Sequence, residues 1–393
     1  MVSKRLQEIP PSGTIAISNM VSQMKADGVD VISFSLGEPD FSTPGNVVDA
    51  CCESLREGFT HYTPSLGIPE LRKAVADTTK ARNNVPCDAS NVLITPCKQA
   101  IFLTALAYID PGDEVILADP SWVSYEACVR LAGGVPVYVP TRFEDGFVLD
   151  PALIEAAVTP RTKMIIINTP SNPTGAVQPR EVLKQIADIA MKHNIKVLSD
   201  EIYESIIYEG SHTSIASFPG MFENTIIVSG LSKTYAMTGW RMGWAIAPAD
   251  DIKALNKLQS HSISCAVSFA QQASVEAILG PQDARDAMIK EFARRRGIVM
   301  DLLSEIPGIE CNAPKGAFYV FPKYNRDIKS AKLAEILLQQ GHVAVTPGTA
   351  FGPGGEGFIR ISYAASEENI REGMARIKKT LADLRCTCSS TPA

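Results

Sequence analysis

The sequence predicts an α/β fold in which a mostly parallel seven-stranded sheet forms the larger part, followed by a smaller α+β part. Between residues 90 and 250, short continuous apolar runs alternate with longer segments of helical pattern. Such runs are typical of strands that are buried on both faces, as in parallel sheets covered by helices. The strand-like runs are 92–95, 114–118, 135–139, 163–168, 195–199, 225–229 and 243–247.

The connections between these runs have helix and turn patterns. Segments 99–109 and 122–131 have a helical pattern, and each ends close to a turn sequence, Pro111-Gly112-Asp113 and Gly133-Gly134. Helices placed between consecutive strands are the usual connection in a parallel sheet, because the chain must return to the starting edge.

The last third of the sequence has a different organisation. Helical segments at 283–303, 331–340 and 367–384 are separated by the strand-like runs 317–321 and 358–362. Two or three strands with covering helices predict a small α+β domain at 281–385, after a large domain at 46–280. Residues 1–45 are too few to form a domain, so we expect them to pack with the small domain. Residues 386–393 are expected to be a tail.

Composition excludes several classes of protein. The 393 residues include 37 basic and 43 acidic side chains, for a net charge of −6. A mild acidic excess gives no general affinity for phosphate backbones, so nucleic acid is not an expected partner. There is no run of roughly 20 apolar residues and no signal-peptide pattern, so the sequence predicts a cytoplasmic protein without membrane spans.

Cysteine and histidine patterns give no indication of a metal site. The nine cysteines are scattered and include no C-x-x-C pair, and the five histidines are far apart in the sequence. We therefore predict reduced structural thiols, with no disulfide framework and no bound metal.

Two short motifs resemble nucleotide-binding loops but lack the required context. The run 352–357 satisfies G-x-G-x-x-G, yet a strand-like run follows it where the dinucleotide site needs a helix. Ser232-Lys233-Thr234 resembles the end of a phosphate-binding P-loop, but the glycine before the lysine is replaced by Ser232. The glycine run is predicted to be a turn, which leaves an oxidoreductase with little support.

The segment 229–243 (SGLSKTYAMTGWRMG) carries the most chemical information. It follows a predicted strand and places small residues around Lys233, with Arg241 eight positions later. A lysine in a tight, partly apolar site can lose its proton and form a Schiff base with an aldehyde. An arginine beside it can bind a phosphate group. Taken alone, however, two such residues are usually surface charges.

The same segment matches the cofactor-attachment signature of class I pyridoxal-phosphate-dependent aminotransferases. Five further blocks resemble this family in the same order: 35–40 (SLGEPD), 61–64 (HYTP), 168–175 (NTPSNPTG), 199–203 (SDEIY) and 358–361 (FIRI). The resemblance extends from residue 11 to residue 384 and is nearest to prokaryotic aspartate aminotransferases. It implies the fold-type I architecture, pyridoxal 5'-phosphate as cofactor, and a homodimer with shared active sites.

The resemblance implies roles for five residues around the cofactor. Lys233 would hold the cofactor as a Schiff base and then move a proton between substrate and cofactor. Asp200, just past a strand, would pair with the pyridine nitrogen and keep it protonated. Tyr203 and Asn172 would hydrogen-bond the phenolic oxygen, and Trp122 would stack on the ring. Asn172 and Trp122 are also expected to contact the substrate.

Four more residues are assigned in the same way. Arg360 would bind the α-carboxylate of the substrate, since an arginine buried among strand residues needs an anion. Gly37 would let that carboxylate approach the backbone. Arg241 would pair with the cofactor phosphate, and Tyr62 would reach the same phosphate from the other subunit.

The phosphate loop departs from the family pattern. Relatives often carry Gly-Gly-Lys where this chain has Pro96-Cys97-Lys98. Amides of Cys97 and Lys98 at a helix start can still bind phosphate, but Pro96 donates none, which leaves the shape of the loop open. Lys98 could instead contact the side-chain carboxylate of the substrate, together with Thr14.

These expectations define an aminotransferase that uses a ping-pong mechanism. Aspartate as donor and 2-oxoglutarate as acceptor are the favoured substrates. Alanine or aromatic amino acids, and a cysteine-conjugate β-lyase or decarboxylase activity on the same fold, remain alternatives. A non-enzymatic regulator built on this domain is disfavoured, because we see no room before residue 11 for a basic DNA-binding module.

Overall fold

The computed structural model describes residues 2–7, 9 and 13–388, without the side chains of residues 4, 5, 13–15 and 385–388. Its strands are β1 (Ile32–Ser33), β2 (Val92–Ile94), β3 (Glu114–Asp119), β4 (Val135–Pro140), β5 (Thr162–Asn168), β6 (Lys196–Asp200), β7 (Thr225–Gly230), β8 (Gly243–Ile246), β9 (Ile309–Glu310), β10 (Tyr319–Val320), β11 (Lys323–Tyr324), β12 (Val343–Ala344), β13 (Thr346–Pro347) and β14 (Ile359–Ser362).

The α-helices are α1 (Lys4–Gln7), α2 (Gly13–Ala26), α3 (Gly45–Arg56), α4 (Pro69–Asn83), α5 (Cys97–Tyr108), α6 (Ser124–Leu131), α7 (Pro151–Ala157), α8 (Arg180–His193), α9 (Leu231–Thr234), α10 (Ala249–Ser260), α11 (Ser268–Leu279), α12 (Asp283–Ser304), α13 (Ser330–Gly341) and α14 (Glu367–Cys388). Short 3₁₀ turns lie at Ala89–Asn91, Ile215–Ser217, Phe222–Asn224, Gly348–Phe351 and Pro353–Gly355. Among the described residues, no helix is both long enough and apolar enough to cross a membrane.

A seven-stranded sheet of order β2-β8-β7-β6-β5-β3-β4 lies at the centre of the molecule. Strand β8 is antiparallel to both of its neighbours, and all the other pairs in the sheet are parallel. These seven strands overlap the seven runs predicted from the sequence, so the prediction of a mostly parallel α/β sheet is confirmed.

Both faces of this sheet are buried. Successive side chains on a strand point to opposite sides, so each strand contributes side chains to both faces. In β6, Leu198 packs into a cluster that includes Leu103 of α5, whereas Val197 packs into a second cluster that includes Ile186 of α8. Burial of both faces explains why the strand sequences are continuously apolar and do not alternate with polar residues.

Shorter strands pair in the C-terminal part of the molecule. They form a three-stranded sheet of order β10-β14-β13 and two pairs, β1-β12 and β11-β9. The first of these pairs is parallel and brings Ile32 of the N-terminal part beside Val343. The run predicted at 317–321 contains only β10, because Ala317 has a left-handed backbone (φ 58°) that ends the extended conformation.

The glycine run at 352–357 forms a turn that packs against β3. The Gly354 N–H donates a hydrogen bond of 2.8 Å to Oδ2 of Asp119. Gly352 has φ +124°, and a Cβ at this position would lie 2.3 Å from Oδ1 of the same carboxylate. Strand β14 follows the run, as predicted, and a dinucleotide site would need a helix there.

Helix α14 continues beyond the boundary that the sequence suggested for the last domain. It extends to Cys388, three residues into the segment expected to be a tail, and residues 389–393 lie outside the described part of the chain.

Candidate active site

A cavity of about 370 Å³ lies where β5, β6 and β7 end, a volume suited to a small ligand. Parallel strands end at one edge of a sheet, which is where open α/β folds bind their ligands. Ten of the predicted site residues line this cavity: Gly37, Cys97, Lys98, Trp122, Asn172, Asp200, Tyr203, Lys233, Arg241 and Arg360.

Lys233 lies on the short helix α9, directly after β7 ends. Its Nζ donates a hydrogen bond of 2.6 Å to the carbonyl oxygen of Gly37. Burial, with smaller contributions from the nearby cations Arg241 and Arg360, lowers the pKa of the Lys233 ammonium to about 8. A lysine of this kind is partly unprotonated near neutral pH, and its amine can attack a carbonyl carbon.

Asp200 ends strand β6 and has only 4% of its surface exposed. Its carboxylate accepts hydrogen bonds from the Tyr125 hydroxyl at 2.7 Å and from the Ile202 N–H at 3.2 Å. Burial raises the pKa of Asp200 to about 6, although the hydrogen bond from Tyr125 opposes this shift. A carboxylate kept dry in this way will attract a cationic or proton-donating partner in the cavity.

Arg360 lies on β14 with 2% of its surface exposed. Its guanidinium donates hydrogen bonds to Asn172 Oδ1 at 3.0 Å, to Thr346 Oγ1 at 3.3 Å and to the carbonyl oxygen of Ser35. All three acceptors are neutral, so none of them compensates the charge of the arginine.

Two aromatic rings, of Tyr319 and Phe351, lie 4.7 and 4.9 Å from the Arg360 guanidinium carbon. Its Nε has no hydrogen-bond partner, and no carboxylate of the described residues forms an ion pair with Arg360. A buried cation without a counter-ion is costly, so Arg360 provides a binding site for an anionic ligand group.

Tyr203 and Gly37 meet at Tyr319. The hydroxyl groups of Tyr203 and Tyr319 share a hydrogen bond of 2.7 Å. A Cβ at position 37 would lie 2.5 Å from the Tyr319 hydroxyl oxygen, so a larger residue there would displace this tyrosine. Glycine is therefore required at position 37 by close packing in this wall of the cavity.

Helix α5 begins at Cys97, after Pro96, and its first N–H groups have no acceptor within the helix. The Cys97 thiol donates to the carbonyl oxygen of Ser229 at 3.1 Å. A Cβ at Gly243 would lie 2.4 Å from the Cys97 sulfur, so the cysteine side chain fills the space beside this glycine. Burial raises the pKa of Cys97 to about 12, which keeps it a neutral thiol.

Lys98 and Arg241 are the more exposed cations of the site. The Lys98 ammonium lies 4.8 Å from the centre of the Trp122 ring. Arg241 donates to the carbonyl oxygen of Thr238 at 2.8 Å. Together with the first turn of α5, these residues make this end of the cavity attractive to an anion.

Two predicted residues are not brought into the cavity by the described structure. Tyr62 is 89% exposed and does not line the cavity of its own chain. Thr14 lies in α2, but its side chain is outside the described part of the structure. Ser18, one helical turn after Thr14, does line the cavity.

Tyr125, Tyr319 and Ser35 are site residues that the sequence reasoning missed. Tyr125 lies three positions after Trp122 in a helical segment, where an aromatic side chain usually belongs to the core. Ser35 begins the SLGEPD block, but its contribution is a backbone carbonyl, and a carbonyl group carries no residue-specific signal.

The arrangement combines an amine of lowered basicity, a buried carboxylate and two cationic ends. Such a cavity suits carbonyl–amine chemistry on a small anionic substrate.

Comparison with known proteins agrees with a site for carbonyl–amine chemistry. Residues 29–377 match the family model described as aminotransferase class I and II. The aspartate aminotransferase of Pyrococcus abyssi is 42% identical over 98% of this chain and 100% of its own length. The structure of Thermus thermophilus aspartate aminotransferase with maleate has 41% identity and a TM-score of 0.92, and covers 97% of this chain and 99% of that one.

An aromatic aminotransferase from Pyrococcus horikoshii is also similar, with 42% identity, a TM-score of 0.88, and coverage of 93% and 99%. The chain belongs to the class I and II aminotransferase family, and it is an aminotransferase.

Proposed function

We propose that this aminotransferase uses pyridoxal 5'-phosphate to transfer the amino group of L-aspartate to 2-oxoglutarate. The observation that carries the proposal is the presence of the Lys233 amine, the Asp200 carboxyl group and the unpaired Arg360 guanidinium in one cavity. The residues fit the cofactor. Lys233 suits its aldehyde, Asp200 suits its ring nitrogen, and Arg241 with the start of α5 suits its phosphate.

When bound, pyridoxal 5'-phosphate supplies a carbonyl carbon for amines and a ring that accepts the electron pair left at the substrate Cα. Arg360 binds the α-carboxylate of the substrate and so fixes the position of the Cα hydrogen. The Lys233 amine would take the proton from the substrate Cα and then release it towards the cofactor. Asp200 holds a proton at the ring nitrogen.

The two halves of the reaction use the same residues. In the first half the donor gives its amino group and leaves as a 2-oxo acid, and in the second half the acceptor 2-oxo acid enters the same cavity. Arg360 binds the α-carboxylate in both halves, since donor and acceptor both carry this group. One binding site used in turn by two substrates gives ping-pong kinetics.

An acidic substrate is supported by the position of Lys98. Its ammonium lies at the mouth of the cavity beside Trp122, where the side-chain carboxylate of aspartate would need a cationic partner. The Pyrococcus abyssi and Thermus thermophilus relatives carry the name aspartate aminotransferase. The Thermus thermophilus structure is one with maleate, which is a dicarboxylate. Because an aromatic aminotransferase is also similar to this chain, aromatic amino acids are included as donors in the test.

A homodimer of two-domain subunits is part of the proposal. The pairing of β1 with β12 supports packing of residues 1–45 against a small domain at 281–385, beside a large domain at 46–280. Tyr62 is 89% exposed, so it is free to reach the phosphate of a second subunit.

A half-reaction titration tests the proposal. The absorbance of the purified protein is recorded with pyridoxal 5'-phosphate, and aspartate, glutamate, alanine, phenylalanine and branched amino acids are added separately. We expect aspartate and glutamate to convert the spectrum of the bound cofactor fastest. Fastest conversion by alanine or phenylalanine would overturn the substrate, and no cofactor spectrum would overturn the proposal as a whole.

A β-lyase is separated by its products. Pyruvate and ammonia released from a β-substituted amino acid without any 2-oxo acid acceptor would identify that activity. We expect neither product when the acceptor is left out.

A further inference from the structure

A cluster of three titratable side chains, Glu201, Glu204 and His212, lies behind the active-site cavity. Their ligand atoms are all within 4.8 Å of one another. The side chains of Glu201 and His212 are 1% and 6% exposed, and none of the three lines the cavity. We call this group the acid–histidine cluster.

Glu201 has hydrogen bonds on both carboxylate oxygens. Oε1 accepts from the hydroxyl groups of Ser199 at 2.8 Å and Ser214 at 2.7 Å. Oε2 lies 2.9 Å from Nε2 of His212. The histidine is therefore the cationic partner available to this carboxylate within hydrogen-bond distance.

Glu204 connects the cluster to two other elements. Its Oε1 accepts from the Ser229 hydroxyl at 3.1 Å, and its Oε2 accepts from the side-chain amide of Asn83. Ser229 lies on β7, four residues before Lys233. The Ser229 hydroxyl also approaches the carbonyl oxygen of Glu201 at 3.4 Å.

Residues 200–204 therefore face two ways. Asp200 and Tyr203 line the cavity, whereas Glu201 and Glu204 turn towards His212. One short segment thus presents two catalytic side chains on one side, and one buried and one half-buried acid on the other. Whatever fixes the acids also fixes the direction of the catalytic pair.

The buried carboxylate of Glu201 and the half-buried carboxylate of Glu204 lie within 4.8 Å and repel each other, and a positive charge between them relieves this repulsion. The charged groups that act on His212 are Glu201 and Glu204, and both raise the pKa of the imidazole against the effect of burial. Glu201 in turn raises the pKa of Asp200. The charge of the acid–histidine cluster therefore affects the pKa of Asp200 in the active site.

We propose that His212 is a positioning residue, held as an imidazolium between Glu201 and Glu204, that fixes Asp200 and Tyr203 against the strand leading to Lys233. The inference rests on the proposed function, because it assigns Asp200 to the ring nitrogen of the cofactor. A Glu-Glu-His group also has the composition of a metal site. However, all four carboxylate oxygens already have hydrogen-bond partners from the protein, so none of them is left for a metal. Of the two ring nitrogens of His212, Nε2 contacts Glu201, whereas Nδ1 is buried without a hydrogen-bond partner.

The test compares His212→Gln with the charge-balanced double variant His212→Gln/Glu204→Gln. With both glutamates ionised and the histidine protonated, the native cluster has two negative charges and one positive, hence −1. The single variant has −2, and the double variant returns to −1. His261→Gln, at an exposed histidine after α10, is the matched control.

Three readouts are taken on the full chain. We expect His212→Gln to weaken pyridoxal 5'-phosphate binding about tenfold or more, and to move the pH at which the bound cofactor changes its absorbance upward by about one unit. Extra negative charge nearby favours protonated forms, which gives this direction. The urea midpoint of the cofactor-free chain should fall in the single variant. The double variant should largely restore the cofactor affinity, the pH of the absorbance change and the urea midpoint. His261→Gln should change none of the three.

A double variant no better than the single variant would overturn the proposal, as would an unchanged pH transition in His212→Gln. Stabilisation of the native chain by added Zn²⁺, with loss on chelation, would replace it with a metal site. If no variant binds pyridoxal 5'-phosphate, the proposed function fails. The urea midpoints still test the charge balance, because they do not depend on the cofactor.

Discussion

The Tyr125 hydroxyl donates a hydrogen bond of 2.7 Å to Oδ2 of Asp200, so a helix and a neighbouring strand end are joined inside the active site. The other carboxylate oxygen accepts from the Ile202 N–H. Asp200 is therefore held at both oxygens and cannot rotate freely towards a ligand. The hydrogen bond also lowers the pKa of this buried acid, against the larger effect of burial.

Replacing Tyr125 with Phe removes that hydroxyl and keeps the ring. We expect kcat/KM to fall about 10- to 100-fold, since a hydrogen bond to a charged group contributes about 1.5–3 kcal/mol. The pKa of Asp200 should rise further, so the loss should be greatest on the acidic side of a pH profile from 5.5 to 9. Tyr138→Phe, which removes a hydroxyl group outside the cavity, is the control. An equal loss at every pH would contradict the assigned role.

Asp200→Asn should separate stability from activity. The folded-state pKa of about 6 lies above the usual value of an aspartate, so Asp200 costs stability as the pH rises from about 4 to about 6. Without cofactor, the Asn variant should be more stable than the native chain at pH 7.5, by at most about 3 kcal/mol, and the difference should shrink to about 0.5 kcal/mol near pH 4. Urea unfolding at both pH values measures this.

The activity of the same variant should fall at least about 100-fold, because a neutral amide cannot hold the ring nitrogen protonated. A variant that is less stable than the native chain at pH 7.5 would show that burial of the charge is compensated in the folded protein.

Lys98→Met should change substrate preference. Loss of the ammonium group should lower kcat/KM for aspartate about 10- to 100-fold, and leave alanine and phenylalanine within about threefold. Steady-state kinetics with the three donors measures this difference, and Lys253→Met, at an exposed lysine on α10, serves as the control. Equal losses for all three donors would assign Lys98 to the cofactor phosphate.

Arg360→Lys should affect all amino acid substrates equally, in contrast to Lys98→Met. A lysine keeps the charge but loses the planar fork that binds a carboxylate through two parallel hydrogen bonds. Because every amino acid substrate has an α-carboxylate, KM should rise about 10- to 100-fold for aspartate, alanine and phenylalanine alike. A loss confined to aspartate would place Arg360 at the side-chain carboxylate and remove it from the role proposed above.

The sheet was predictable because its strands are buried on both faces and so carry continuous apolar runs, as in β5 and β7. Asp200 could be placed at the sheet edge for the same reason, since the end of a run marks the end of a strand. The two-residue strands β1 and β12 were not predicted as a pair, because their pairing depends on contacts between distant parts of the chain. Such pairings leave no periodic pattern in the sequence.

The missed site residues have a related cause. Tyr125 and Tyr319 are ordinary buried aromatics until their hydroxyl groups are seen to bind Asp200 and Tyr203. Glu201 and Glu204 gave no signal either, because the cation between them, His212, lies in a loop eight residues beyond Glu204.

The Arg360 guanidinium donates to the carbonyl oxygen of Ser35 across 325 positions of the chain. During synthesis the residues that would hold the cofactor, up to Arg241, leave the ribosome more than a hundred residues before Arg360 does. A nascent or prematurely terminated chain can therefore contain Lys233 and still lack Arg360, the arginine proposed to bind the substrate carboxylate. The proposed carboxylate site is thus the last part of the cavity to be synthesised.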